Sequence, residues 1–453
     1  MGNLLGAPVT DKETHRGTTK DEQLKYGLSS MQGWRVHMED AHIAEGELYA
    51  LEVDPKDSNK TVKIPLEGHS LFAVYDGHGG TFAAIYSGNN FLRILSKQPK
   101  FVKYAKMCAS SNVNRAAKMR VLEQALKQAF VETDYEIGLA IRGKSHVDAN
   151  SPYHDPPKTS PTPVASPAAI DTNPSDEASE NDSTNHPGAA SATNPTTPVS
   201  KPAMAGAAMK AASDHLSAIE DEGDSGTTSC VVMITPDSIV CANAGDSRAV
   251  FARRPEAPAS SDSGPATTVG KAIPLSFDHK PDDEEEEKRV RNAGGYVTGG
   301  RVEGDLAVSR GLGDFRFKQM AVVLNNTQLY PEDDAPATTA TTKTGDDENA
   351  AGDDAPAIPL NDSIKPLEFP PGDQKVSPIP DVTIHTRNLD RDEYVVVACD
   401  GIWDVLTNQR CIEELVDIMY TEGERDLGLV SEEVSSALPC GGSGMEMFHC
   451  AFC

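Results

Sequence analysis

Two stretches of this 453-residue chain end an apolar run in a carboxylate followed by glycine. The first is Leu71-Phe72-Ala73-Val74-Tyr75-Asp76-Gly77-His78-Gly79-Gly80, and the second is Tyr394-Val395-Val396-Val397-Ala398-Cys399-Asp400-Gly401-Ile402-Trp403-Asp404. Aspartate and imidazole beside a flexible turn suit metal or acid–base chemistry, and the glycines let backbone approach an ion or a phosphate. If the two strands lie side by side, Asp76 and Asp400 meet at one end of a sheet, where they would repel unless divalent cations lay between them. Taken alone, either stretch is also explained as an ordinary strand-to-turn exit, for which Asp-Gly is a common signature. A third stretch, Gly33-Trp34-Arg35-Val36-His37-Met38-Glu39-Asp40, alternates apolar with charged residues. That pattern predicts a strand presenting Arg35 and Glu39 on one face. Arg35 offers the fork that fits a phosphate dianion, with a surface cross-strand ion pair as the plainer explanation.

The elements that would position these groups read as a sheet covered by helices. Four apolar or aromatic residues before Asp76 suit a strand buried on both faces. Phe82, Ile85, Tyr86, Leu92 and Leu95 share one helical face, and Val121, Leu122, Ala125, Leu126, Ala129 and Phe130 mark a second helix. Short apolar runs at Cys230–Ile234, Ile239–Ala242 and Arg248–Phe251 predict an antiparallel meander, with Ala244-Gly245-Asp246-Ser247-Arg248 as a tight connection. Pro281 opens a predicted helix with acids at Asp282, Asp283 and Glu284, bases at Lys288, Arg289 and Arg291, and a Gly294-Gly295 stop, matching the helix dipole. Gly304 to Asp314 reads as a loop or flap beside a site. Two segments, about 144–218 and 331–362, have almost no large apolar residues and are expected to be disordered insertions. The first contains Ser160-Pro161, Thr162-Pro163, Ser166-Pro167 and Thr197-Pro198, which suit proline-directed phosphorylation or arise from composition alone.

The formal net charge of -28 argues against a nucleic-acid or anionic-membrane surface. No apolar run approaches the length of a membrane span. The eight cysteines are scattered, with Cys230, Cys241 and Cys399 inside apolar strands, as in a reducing compartment, which fits a cytoplasmic or nuclear location; a monomer is expected. Residues 1–25 read as a flexible N-terminus. Met1-Gly2-Asn3-Leu4-Leu5-Gly6 is similar to an acylation signal, although Gly6 stands where Ser or Thr is usual, and one acyl chain would give only weak membrane association.

Together the stretches Ser29–Asp40, Phe72–Gly80, Ser225–Thr228, Gly245–Arg248, Asp278–Pro281, Asn292–Gly295, Leu306–Asp314 and Ala398–Val405 resemble the metal-dependent protein serine/threonine phosphatase family, protein phosphatase type 2C. The resemblance covers residues 26–438, apart from the two insertions. It implies an α+β fold: a two-sheet antiparallel β-sandwich flanked by helices, in four layers α-β-β-α. It further implies that Asp76 bridges two Mg2+ or Mn2+ ions, that Gly77 ligates through its carbonyl and that Asp400 holds one of the pair. Glu39 and Asp40 match residues that bind or orient metal-coordinated water, Arg35 matches the residue gripping the substrate phosphate, and His78 matches the general acid. A water shared by the ions would attack phosphoserine or phosphothreonine in a protein substrate in line, without a covalent phosphoenzyme. Asp404, Asp314 and Asp224 are candidates for a third, weaker ion.

The resemblance breaks in the tail, residues 439–453. The family carries another metal aspartate in a closing Asp-Asn turn, whereas no aspartate follows Asp426 here; with Met447 at the family's methionine position, Met445 falls where that ligand stands, and Glu446 reaches the metal only by a local shift. A catalytically impaired regulatory or phosphoprotein-binding module is therefore the alternative, and the fold's last strand is expected to be altered, exposing a sheet edge. Cys450-Ala451-Phe452-Cys453 superficially resembles a prenylation box, and Cys440, His449, Cys450 and Cys453 have a spacing unlike a closed zinc site.

Overall fold

The structure, a computed structural model, describes residues 4–54, 56–110, 113–141, 225–254, 269–318, 370–436 and 450–452. The two insertions, Gly2, Asp224, Met445 and most of the tail lie outside the described residues.

Strands β1 (Leu4–Thr18), β2 (Lys25–Arg35), β3 (Ala41–Glu45), β4 (Leu48–Asp54), β5 (Asp57–Leu66) and β6 (Ser70–Tyr75) lead to a short strand β7 (Gly77–His78). Helices α1 (Phe82–Lys97), α2 (Pro99–Cys108) and α3 (Arg115–Ile141) follow. Next come β8 (Gly226–Thr227), β9 (Ser229–Ile234), β10 (Ser238–Ala244), β11 (Arg248–Arg253), β12 (Lys271–Pro274) and helix α4 (Glu284–Asn292). The remainder is β13 (Val297–Thr298), β14 (Arg301–Val302), β15 (Leu312–Gly313), β16 (Asp381–Thr386), β17 (Asp392–Ala398), α5 (Asp400–Trp403), α6 (Asn408–Val416), α7 (Leu427–Ser436) and β18 (Cys450–Phe452).

The two large antiparallel sheets have the orders β1-β2-β18-β17-β11-β12 and β16-β10-β9-β6-β3. Alternation along each strand decides what each face meets. Val74 of β6, Cys230 and Val232 of β9 and Cys241 of β10 share one core with Ala249 and Phe251 of β11 and Val395 and Val397 of β17. This core lies between the sheets. The intervening residues Ala73, Tyr75, Val231, Met233, Val240 and Ala242 instead pack under α1, α2 and α3. On the other sheet Val250, Ala252, Tyr394, Val396 and Ala398 pack under α5, α6 and α7. The result is the helix-sheet-sheet-helix layering, and each fully buried Leu, Val or Phe in it contributes roughly 1.5–3 kcal/mol of burial.

Local signals set the helix ends. Asn114 Oδ1 accepts the Ala117 N–H at 2.8 Å to cap α3, and Thr407 Oγ1 accepts the Arg410 N–H at 3.2 Å to cap α6. In α4, Glu284 to Glu287 fill the first turn and Arg289 and Arg291 the last. Phe91 and Phe130 lock α1 to α3 edge to face, with ring centroids 5.4 Å apart.

Three expectations are corrected. Residues Leu4–Thr18 are not a flexible terminus but strand β1, paired antiparallel with β2. Its polar side chains hide the strand from hydrophobic patterning, and they fasten it to α7: Thr14 Oγ1 donates to Glu432 Oε1 at 2.6 Å, and Arg16 pairs with Asp426. The strand carrying Arg35 ends at Arg35, so Glu39 does not share its face; the chain turns before Asp40 and re-enters the other sheet as β3. The tail does not leave an open edge between β2 and β17, because Cys450–Phe452 fills that place as β18.

Candidate active site

Strand register delivers the acidic residues to one end of the sandwich. Val74 of β6 pairs with Cys230 of β9, and Ser229 of β9 pairs with Ala244 of β10, so Asp76 and Asp246 leave the same end of that sheet. Arg248 of β11 pairs with Ala398 of β17, so Asp246 and Asp400 flank the matching end of the other sheet. Asp76 and Asp400 are therefore not on neighbouring strands, as the repeated motif suggested, but on opposite sheets. The β10–β11 connection carries Asp246 across between them.

One carboxylate oxygen from each of Asp76, Asp246 and Asp400 lies within 4.8 Å of the other two. Three hard oxygen donors on fixed strand ends fit Mg2+ or Mn2+, and their mutual repulsion favours a bound cation. Lys280 Nζ donates to Asp246 Oδ2 at 2.6 Å and offsets part of that charge. Asp246 is the residue that sequence reading missed. Its Ala244-Gly245-Asp246 exit from an apolar strand was the available signal, since Asp76 and Asp400 follow comparable strands.

The Asp76 turn is held by its neighbours' polar groups. The Thr228 N–H and Thr227 Oγ1 donate to the Asp76 carbonyl at 2.9 and 3.0 Å, and the Asp76 N–H donates to Thr228 Oγ1 at 3.2 Å. Asp40 Oδ1 accepts the Gly77 N–H at 3.2 Å, and Glu39 Oε1 accepts the Gly80 N–H at 2.8 Å. A Cβ on Gly77 would stand 2.0 Å from the Glu39 carbonyl oxygen, so this close crossing requires glycine. Glu39 and Asp40 thus meet the metal-candidate turn through its backbone.

The Asp246 turn is braced in the same way. The Gly245 N–H donates to His279 Nδ1 at 3.2 Å, and His279 Nε2 lies 3.2 Å from Asp381 Oδ2. Arg248 forms a two-pronged pair with Asp278, at 2.8 and 2.7 Å, and lies over the Trp403 ring 5.2 Å from its centroid. That stack joins the turn to α5, which Asp400 opens.

His78 Nε2 lies 2.8 Å from Asp314 Oδ1. Burial disfavours the imidazolium, but Asp314, with Asp246 and Glu39 beyond it, outweighs burial and raises the His78 pKa above its ordinary value. Asp314 is thereby committed to His78 rather than to the carboxylate group. Asp404 is exposed at the C-terminal end of α5, its N–H donating to the Asp400 carbonyl at 2.8 Å, and is likewise outside that group. Among the described residues the carboxylates grouped closely enough to hold an ion are Asp76, Asp246 and Asp400; Asp404 and Asp314, expected at a third, weaker ion, are not in that group, and Asp224 lies outside the described residues. Arg35 is half-buried at the end of β2, where Gln32 Nε2 donates to its carbonyl at 2.9 Å.

A family profile described as Protein phosphatase 2C matches residues 24–151 and 167–436. The chain is 30% identical over 413 residues to Protein phosphatase 2C homolog 2 of Aspergillus flavus, covering 91% of this chain and 58% of that protein. It is 31% identical over 413 residues to Protein phosphatase 2C homolog 3 of Schizosaccharomyces pombe, covering 91% of this chain and 59% of that protein. The chain therefore spans less than two thirds of the length of these relatives. The crystal structure of a phosphatase from a pathogenic strain of Toxoplasma gondii aligns with 98% of this chain and 95% of its own, at a TM-score of 0.50 and 16% identity, a likeness of fold. With the profile matching residues 24–151 and 167–436, most of the sequence, the chain belongs to the protein phosphatase 2C family.

Proposed function

We propose that the chain hydrolyses phosphoserine and phosphothreonine in proteins with two Mg2+ or Mn2+ ions held at Asp76 and Asp400, the Gly77 carbonyl contributing and Asp246 completing the carboxylate group. The observation that carries this reading is the convergence of Asp76, Asp246 and Asp400 at the joint end of both sheets. When bound, the cations supply Lewis-acid charge for an attacking water and for the phosphoryl oxygens. Arg35 is assigned the grip on the phosphate, because its planar fork matches two phosphoryl oxygens. His78 is assigned the proton that the departing serine or threonine oxygen needs, since an alkoxide leaves poorly without one. Glu39 and Asp40 hold the Gly77–Gly80 turn so that Asp76 and His78 keep their relative places.

Purified protein assayed on a phosphothreonine peptide with Mn2+, beside Asp76→Ala, tests the proposal. Turnover at least tenfold above the variant is expected, taking roughly 10–100-fold as the usual cost of disturbing a metal site. Turnover equal to the variant's would overturn it. A second reading, a catalytically impaired phosphoprotein-binding module, is favoured by the lack of any aspartate after Asp426, where the resemblance implies a closing metal aspartate. Binding of the phosphopeptide without turnover would select it.

A further inference from the structure

Asp314 is held with more care than a loop carboxylate requires. It is 2% exposed, follows β15 in the left-handed region at φ 53° and ψ 41°, and its N–H donates to the Ser225 carbonyl at 3.1 Å. That backbone conformation is uncommon for a residue other than glycine. Strands β15, β8 and β7 form a small sheet in which Gly313, Gly226 and His78 stand in one row. Gly226, in the middle, has no side chain. A Cβ there would meet the Asp314 carboxylate at 2.2 to 2.3 Å. The missing Cβ is the gap through which Asp314 reaches across the middle strand to His78.

The anchoring continues behind Asp314. The Gly313 N–H donates to buried Asp134 Oδ1 at 2.8 Å, and Lys318 Nζ donates to the same oxygen at 2.8 Å and to the Gly311 carbonyl at 2.8 Å. Helix α3 thereby fixes the β15 backbone from outside the site. Asp314 Oδ2 is buried with no hydrogen-bond partner among the described residues, leaving Oδ1 on His78 as the carboxylate's one hydrogen bond there.

We propose that Asp314 is the positioning residue for His78. It accepts the Nε2–H of the imidazole, which fixes the tautomer and turns Nδ1 toward the substrate. This rests on the phosphatase reading above. In the step served, the bond from phosphorus to the serine or threonine oxygen breaks, and the proton on Nδ1 passes to that oxygen. His78 is left neutral with its Nε2–H still on Asp314, to which no proton passes. A carboxylate that acts through a histidine leaves a kinetic signature that a metal ligand does not.

The test uses the full chain with Mn2+ and compares a phosphothreonine peptide, whose leaving group needs a proton, with p-nitrophenyl phosphate, whose leaving group does not. Asp314→Ala is expected to lower kcat on the peptide by about 10²-fold with little change in KM, while p-nitrophenyl phosphate turnover falls less than about threefold. Combined with His78→Ala, it is expected to add no further loss on the peptide. Equal losses on both esters, or additive losses in the double variant, would overturn the assignment. So would a raised Mn2+ requirement in Asp314→Ala, which would return the residue to a metal-binding role. Asp314→Asn, nearly the same shape, serves if the alanine variant does not fold. The 15N chemical shifts of the His78 ring give an activity-independent readout in the metal-free protein. A single Nε2–H tautomer that becomes mixed in Asp314→Ala supports the proposal even if the phosphatase assay fails, and an unchanged tautomer refutes it.

Discussion

Asp76 and Asp400 leave strands of opposite sheets, yet one carboxylate oxygen of each lies within 4.8 Å of the other's and of one from Asp246. Like charges at that separation oppose folding by an amount on the order of a few kcal/mol at an intermediate dielectric. A cation that binds only the folded state should therefore stabilise it, by about 2.7 kcal/mol at one hundred times its Kd. Thermal unfolding with Mn2+ is expected to show a Tm several degrees above that in Na+ of equal ionic strength. Asp400→Asn should raise the metal-free Tm and remove most of the Mn2+ shift. A full shift in Asp400→Asn would place the ion elsewhere.

Lys280 occupies Asp246 through its own ammonium, 2.6 Å from Oδ2. A fixed positive charge on a cation ligand lowers affinity for the next cation, and deleting it leaves the carboxylates less compensated. Lys280→Met should bind Mn2+ about three- to tenfold more tightly by calorimetry at low salt, an advantage that shrinks as salt screens the site. Weaker binding in that variant would mean that Lys280 organises Asp246 rather than competing for it.

What the sequence made legible follows from how each element is stabilised. Strands β6 and β17 are buried on both faces, so their continuous apolar runs announced them together with Asp76 and Asp400. The opposition of those strands across two sheets was not legible, because pairing partners such as Val74 and Cys230 lie far apart in sequence. Asp246 escaped notice because a Gly-Asp-Ser turn is ordinary turn chemistry, and only the β10–β11 crossover makes it a site residue. Strand β1 escaped because its pairing with β2 uses backbone groups while its side chains are polar. Asp314 stood out as an acid beside a glycine-rich loop, but its partner depended on the row Gly313, Gly226 and His78, which exists only after three separate segments pair.

Glu286 of α4 governs a pH-dependent part of the stability. Its carboxylate is nearly buried; burial alone would raise its pKa, but Arg310, Arg289 and the Ser309 hydroxyl pull it down from 4.5 to about 2. A depressed folded-state value adds stability above the unfolded pKa and loses it as pH falls toward the folded one. The drop from 4.5 to about 2 is worth on the order of 3 kcal/mol, present in full above about pH 5 and lost between about pH 4.5 and 2. Glu286→Gln should therefore unfold at lower urea concentration at pH 7, with the gap to the parent narrowing through that acid window. A gap independent of pH would show that packing, not charge, makes the difference.

Gly226 separates space from backbone geometry as the reason for a glycine. Its φ is not among the positive values, so alanine is acceptable to the backbone, and the atoms nearest an added Cβ are those of the Asp314 carboxylate, at 2.2 to 2.3 Å. In the parent, Gly226→Ala must push Asp314 off His78, at the ~1–3 kcal/mol typical of overpacking a buried site. With Asp314→Ala already present the obstructing oxygens are gone, and the same substitution should cost a few tenths of a kcal/mol. The expected coupling between the two positions, measured by urea unfolding of all four proteins, is therefore about 1–3 kcal/mol. Additive costs would mean that the middle strand tolerates a side chain for reasons unrelated to Asp314, and that the passage to His78 is not what Gly226 provides.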